Sequence, residues 1–88
     1  MVKRKIKMIN STGLHLRPAG LFCNTAIEFK SRIELHFNNK VYNAKSVLSV
    51  LSACVKLGDE IELVCVGDDE KEALKELTEL IESGFGEV

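Results

Sequence analysis

The sequence predicts an α+β domain: a four-stranded, antiparallel sheet carrying three helices on one face, in the order βαββαβα. Three observations lead there. Four short segments show apolar alternation or β-rich composition, as half-buried strands require. Three intervening stretches place apolar residues at helical spacing or in a compact run, so each offers one stripe for burial. The chain is 88 residues long, enough for one compact domain and too short for two, so every stripe must pack on the one apolar sheet face. The opposite sheet face is left to solvent.

The elements follow in order. Val2, Ile6 and Met8 alternate with Lys3, Lys5 and Lys7, giving a first strand from Val2 to Ile9. Asn10-Ser11-Thr12-Gly13 is a turn cluster, after which Ala19, Phe22, Cys23 and Ala26 fall at i, i+3, i+4 and i+7, so helix one spans roughly Leu16 to Glu28. Ile33, Leu35 and Phe37 alternate with Arg32, Glu34 and His36, and Asn38-Asn39 supplies two residues tolerant of positive φ before Val41 and Tyr42, which reads as a hairpin. Ser46 precedes the apolar run Val47, Leu48, Val50, Leu51, a short second helix closed by Lys56-Leu57-Gly58-Asp59. Ile61 to Val66 is a fourth, β-rich strand ended by Gly67, and Asp69 with Glu72 has the spacing of a capping box at the start of helix three. Ala73, Leu74, Leu77, Leu80 and Ile81 form that helix's stripe, and Gly84 followed by Phe85 fits a left-handed C-cap with its hydrophobic contact.

Composition excludes several function classes. Twelve Lys/Arg against thirteen Asp/Glu give a net charge of −1, which argues against nucleic-acid binding or adhesion to anionic membranes driven by overall charge. No apolar run approaches the roughly 18 residues of a membrane span, and the basic start leads into alternation, so a cytoplasmic protein without membrane insertion is expected. Folding at this size removes only about 60–65% of the unfolded chain's surface, which places any chemistry at the surface. Cys23, Cys54 and Cys65 are neither an even set nor a zinc spacing, so buried thiols are expected, with no disulfide framework, metal or cofactor.

His15 falls at or near the N-cap of helix one. The first-turn amides of a helix have no internal partners and, with the helix dipole, form an anion site that a phosphoryl group on His15 would meet. Arg17 adds a guanidinium fork suited to phosphate oxygens, and Pro18 lacks only an N–H that would be unpaired there. The residues alone leave two readings of His15: a phosphoryl acceptor, or a surface histidine that merely caps the helix. His36, by its alternation, belongs on the solvent face of a strand with no special role.

Gly13-Leu14-His15-Leu16-Arg17-Pro18-Ala19, Lys45-Ser46 and the ending Gly84-Phe85-Gly86-Glu87 together resemble the HPr family, the histidine-containing phosphocarriers of the phosphoenolpyruvate-dependent sugar phosphotransferase system. The resemblance covers essentially the whole chain, residues 1–88, as one domain, and implies an open-faced β-sandwich. It implies that His15 takes a phosphoryl group from phosphorylated enzyme I and passes it to a sugar-specific enzyme IIA, with Arg17 steadying the charge and Thr12, Leu16 and Pro18 helping to hold the phosphate. The protein would then be a monomeric carrier rather than an enzyme. It also implies that Ser46 is a regulatory phosphorylation site, recognised by HPr kinase/phosphorylase and a catabolite control protein. Ser46 as a plain N-cap is the alternative that the residues leave open.

On a helical wheel Leu16, Gly20 and Ile27 form a second apolar stripe beside the core stripe. With Val47, Leu48 and Leu51 they resemble the family's docking face; the alternative is that Ile27 and Leu51 are tucked into the core. Leu16 replaces a usual alanine, Leu48, Ser49 and Leu51 stand in a segment where the family has methionine and glycine, and Cys54 replaces a glycine, as filler or as a modest redox liability. Two other functions compete with a carrier. One is a regulatory corepressor acting mainly through phosphorylated Ser46, against which the retained His15 and Arg17 speak, since purely regulatory relatives replace the histidine. The other is an RNA-binding α+β module, for which Phe37 and Tyr42 are too few aromatics.

Overall fold

In the computed structural model, which describes residues 1–87, alternation becomes pairing. Strands β1 (Val2–Lys7), β2 (Arg32–Phe37), β3 (Lys40–Asn43) and β4 (Glu60–Val66) form one sheet in the order β1-β4-β2-β3. All three pairings are antiparallel. Opposed residues of antiparallel strands share a face. The register sets Ile6 against Ile61, Ile33 against Cys65, and Leu35 against both Leu63 and Tyr42, so the apolar alternate residues make one continuous inner face. The other face carries Lys5 opposite Glu62, which in turn faces His36. His36 Nε2 lies 3.0 Å from Glu34 Oε1, a polar role on the open face as its alternation requires.

Helices α1 (Leu16–Ile27), α2 (Val47–Ser52) and α3 (Glu70–Glu82) cover the inner face, giving the βαββαβα order of the open-faced sandwich. Phe22 and Cys23 from α1, Val50 from α2 and Leu77 and Ile81 from α3 are fully buried with Met8, Ile33, Leu35 and Leu63. Each such aliphatic or aromatic side chain contributes about 1.5–3 kcal/mol by leaving water. The two-residue turn at Asn38 and Asn39 takes φ of 52° and 62°, the primed hairpin geometry that their short polar side chains tolerate.

Four local expectations are corrected. β1 stops at Lys7 rather than Ile9, because Met8 exchanges backbone bonds with the following loop instead of the sheet: its N–H donates to the Asp59 carbonyl and its carbonyl accepts from Gly58, both at 2.8 Å. The anticipated cap of α3 by the Asp69 side chain is absent. That carboxylate turns to the start of β2, accepting from the N–H groups of Lys30 and Ser31 at 2.9 Å and from the Ser31 hydroxyl. These bonds, the Ser31 hydroxyl foremost, hold Asp69 down at a pKa of about 2. The backward reach of a capping box comes instead from Glu70, which accepts from Gly67 N–H at 3.1 Å. At the far end of α3 the left-handed stretch is longer than one glycine, with Gly84, Phe85 and Gly86 at φ of 71°, 54° and 75° and the Phe85 ring buried.

The fourth correction concerns the thiols. Cys23 and Cys65 are buried and burial pushes each up to about 11, but Cys54 is exposed. It follows the C-cap Ala53 of α2 with φ 55°, the left-handed position that ends a helix and usually takes glycine, and that geometry turns its side chain outward.

Candidate functional site: the head of helix α1

The segment between β1 and α1 is pinned from both sides. Asn10 is buried and its Nδ2 donates to the Gly13 carbonyl at 2.8 Å, closing the turn from inside. Gly13 has φ 60°, and a Cβ there would sit 2.3 Å from the Val55 carbonyl oxygen. Only glycine permits that approach, which lets Leu14 N–H donate to the same oxygen at 2.9 Å. Leu14 is buried behind it, so the next residue is delivered to the surface in a fixed place.

That residue is His15, the N-cap of α1, with φ −78° and ψ −172°. Its carbonyl accepts from Ala19 N–H at 2.8 Å, while its imidazole makes no capping bond. The reading of His15 as a side-chain cap is therefore set aside: the ring is exposed, and the first-turn amides are left to whatever anion arrives. Pro18 is buried in that first turn, and no acidic residue stands there to fill the site. His15 shares a shallow cavity of about 370 Å³ with Thr12, Leu14, Leu51, Cys54, Val55 and Lys56.

Arg17 is on the same turn, its guanidinium mostly exposed and 3.5 Å from the Glu87 carboxylate. It also donates to the Phe85 carbonyl at 3.4 Å. Glu87 Oε1 accepts from Asn10 Nδ2 at 2.9 Å and from the Thr12 hydroxyl at 2.8 Å. Asn10, Thr12 and the Arg17 charge hold the Glu87 carboxyl below the usual carboxylate range. Neither Asn10 nor Glu87 was expected to serve the site from the sequence. Their contact joins residues 77 positions apart, and no periodicity announces such a closure; the acid after a glycine-flanked turn was its one visible trace.

Ser46 is the N-cap of α2, and its Oγ accepts from Ser49 N–H at 3.2 Å. Lys45 beside it is spent on the Phe29 carbonyl at 2.6 Å. The second stripe of α1 is real: Leu16 is 63% and Ile27 58% exposed, and Leu48 on α2 is 81% exposed. Ile27 is thus outside the core. Val47 and Leu51 are half-buried against it, and Gly20 lies between Leu16 and Ile27 with open space where a side chain would stand. Among the described residues no group of three or more His, Cys, Asp and Glu could hold a metal ion, and no helix is long and apolar enough to cross a membrane.

Comparison with known proteins points the same way as this geometry. A family model for the PTS HPr component phosphorylation site matches residues 2–83. The phosphocarrier protein HPr of Neisseria meningitidis serogroup A is 40% identical over 87 residues, 99% of this chain and 98% of that one. The HPr-like protein Crh of Bacillus subtilis is 39% identical over 82 residues, 93% of this chain and 96% of that one. A crystal structure of HPr-C-His from Thermoanaerobacter tengcongensis superposes with a TM-score of 0.98 at 48% identity, over 100% of this chain and 99% of that one. Crh and the Thermoanaerobacter protein have also been described as dimers. With its whole length matched and its fold shared, the chain belongs to the HPr family of the phosphotransferase system.

Proposed function

We propose that this chain is a phosphocarrier, not an enzyme, that receives a phosphoryl group on His15 from phosphorylated enzyme I and gives it to a sugar-specific enzyme IIA. The observation that carries this is the exposed, uncapped imidazole of His15 at the head of α1 with Arg17 two residues on in the same first turn. A neutral imidazole is a competent nucleophile near pH 7, with a reference pKa of about 6.5. One P–N bond forms at the His15 ring as the donor's P–N bond breaks, and the reverse exchange discharges it onto the acceptor. Positioning and charge stabilisation suffice, because the transferring group is largely metaphosphate-like. The α1 amides and Arg17 supply the charge stabilisation, Thr12 adds a hydroxyl, Pro18 fixes the first turn, and Leu16 shields one side. No cofactor enters.

Leu16, Gly20, Ile27, Val47, Leu48 and Leu51 form the partner-docking surface in this reading; the exposure of Leu16 and Ile27 along α1 and of Leu48 on α2 supports it. In this reading the carrying species is a monomer in the cytoplasm. Phosphorylation of Ser46 by HPr kinase/phosphorylase is the regulatory arm. It places about −1.5 to −2 charges beside Leu48, where it disturbs an apolar partner without unfolding α2 and offers a catabolite control protein a new contact. Incubation with enzyme I and phosphoenolpyruvate is expected to give acid-labile phosphate on wild type and none on His15→Ala; label on both, or on neither, rejects the carrier role.

RNA binding is not expected, because Phe37 and Tyr42 are half-buried against the core and are too few for a stacking platform.

A further inference from the structure

The shallow cavity that His15 shares with Thr12 is also lined by Lys56, a cation with no other task. The backbone of Lys56 is held in place from two sides. Its N–H donates to Asp59 Oδ2 at 2.9 Å and its carbonyl accepts from Asp59 N–H at 3.0 Å. Its Cα lies so near Gly13 that a Cβ on that glycine would stand 2.7 Å from it, which sets Lys56 against the turn that presents His15. The Lys56 side chain is exposed. The Asp59 carboxylate is taken up by the Lys56 backbone, and among the described residues the Lys56 ammonium pairs with no acid. Arg17, by contrast, is engaged with Glu87 and the Phe85 carbonyl. A lysine carries three donors on a flexible four-carbon stem, so a cation rooted here can follow an anion placed on the neighbouring ring.

We propose that Lys56 is a phosphate-holding residue: once His15 carries a phosphoryl group, the Lys56 ammonium pairs with that group in the cavity, as a second cation beside Arg17. This rests on the phosphohistidine reading and deepens it. The attraction grows with the charge on the phosphate, so the pairing favours the dianion over the monoanion. No covalent bond forms and Lys56 keeps its proton. Both partners are exposed, so the effect is modest and falls with salt.

The test uses the full chain in a His36→Gln background, so that His15 is the one imidazole. Phosphoramidate loads the ring, its P–N bond breaking as one to the imidazole forms and ammonia leaves, and phosphorus NMR follows the phosphate across pH. Lys56→Gln is expected to lower the second ionisation constant of the phosphate about two- to fivefold, the range that exposed ion pairs give. Lys56→Arg keeps the charge and is expected to keep the wild-type constant, and the difference made by Lys56→Gln is expected to fade at about 1 M salt. A merely structural role would produce neither result. Lys71→Gln removes the same charge from the start of α3, the end away from the tail that meets Thr12, and is expected to leave the constant in place. Equal constants for wild type and Lys56→Gln overturn the proposal, as does an equal change in Lys71→Gln or in Lys56→Arg. A parallel arm with enzyme I keeps the two readings apart. Failure of enzyme I to load His15 while the phosphoramidate result stands rejects the carrier role alone; loading by enzyme I with no change in Lys56→Gln rejects the Lys56 pairing alone.

Discussion

Replacing Gly13 by alanine tests whether the His15 loop is seated by backbone contact with the segment after α2. At φ 60° an L-residue pays about 1–2 kcal/mol relative to glycine for the left-handed region. The new Cβ would lie 2.3 Å from the Val55 carbonyl oxygen and 2.7 Å from Lys56 Cα, where ordinary contact begins at 3.4 Å. Both neighbours are backbone and neither can swing aside, so the loop must withdraw and the 2.9 Å bond from Leu14 N–H to Val55 must lengthen or break. Losing that bond costs about 0.5–1.5 kcal/mol, for a total of about 1.5–3.5 kcal/mol. Against a typical domain stability of about 5–15 kcal/mol the variant still folds, but with its histidine displaced. Urea unfolding followed by circular dichroism measures the loss, and phosphate uptake from enzyme I is expected to fall with it. Gly20→Ala is the control: it lies within α1 with nothing within 4 Å of the new methyl group, and alanine is favoured by about 1 kcal/mol in a helix. A Gly13→Ala variant as stable as wild type would refute the seating of the loop.

Two further outcomes follow from the charges and thiols. Asp69 has its pKa lowered to about 2 from 3.8, so its contribution to stability is complete above the unfolded value and is lost as pH falls through the folded one; Asp69→Asn is expected to lower the urea midpoint at pH 7 and to flatten its decline between about pH 4 and 2, and an unchanged profile would dismiss the staple between β2 and α3. Exposed Cys54 is expected to react with a maleimide in the native protein, whereas Cys23 and Cys65, buried and raised to about 11, should react only on unfolding; mass spectrometry of the timed products separates them.

The elements were legible because each announces itself within a few residues. Alternation over Ile33, Leu35 and Phe37, helical spacing from Ala19 to Ala26, and paired asparagines at the hairpin are all short-range signals, and the register of the sheet turns them into one face. Local signals also identified the head of α1, since His15, Arg17 and Pro18 are neighbours. The misreadings share the opposite cause. Asp69 has a good capping position, but Lys30 and Ser31 just before β2 offer three donors in a better arrangement, a competition visible only once distant segments meet. Cys54 reads as buried from its residue type, yet the left-handed end of α2 turns it outward.

Glu87 shows how far such closure reaches, setting a carboxylate against Asn10, Thr12 and Arg17 at the head of α1. In the phosphocarrier reading the anion site at the head of α1 draws on amides and one arginine of a chain whose net charge is −1, so its affinity for phosphate is set locally. A phosphoryl group takes the formal charge to about −3, and on so small a surface the resident carboxylate beside it is a substantial share of the local field. Leu16 and Ile27 on α1 and Leu48 on α2 leave apolar surface exposed. In the phosphocarrier reading a partner seated over the head of α1 removes water, and charge interactions there strengthen as the effective dielectric falls.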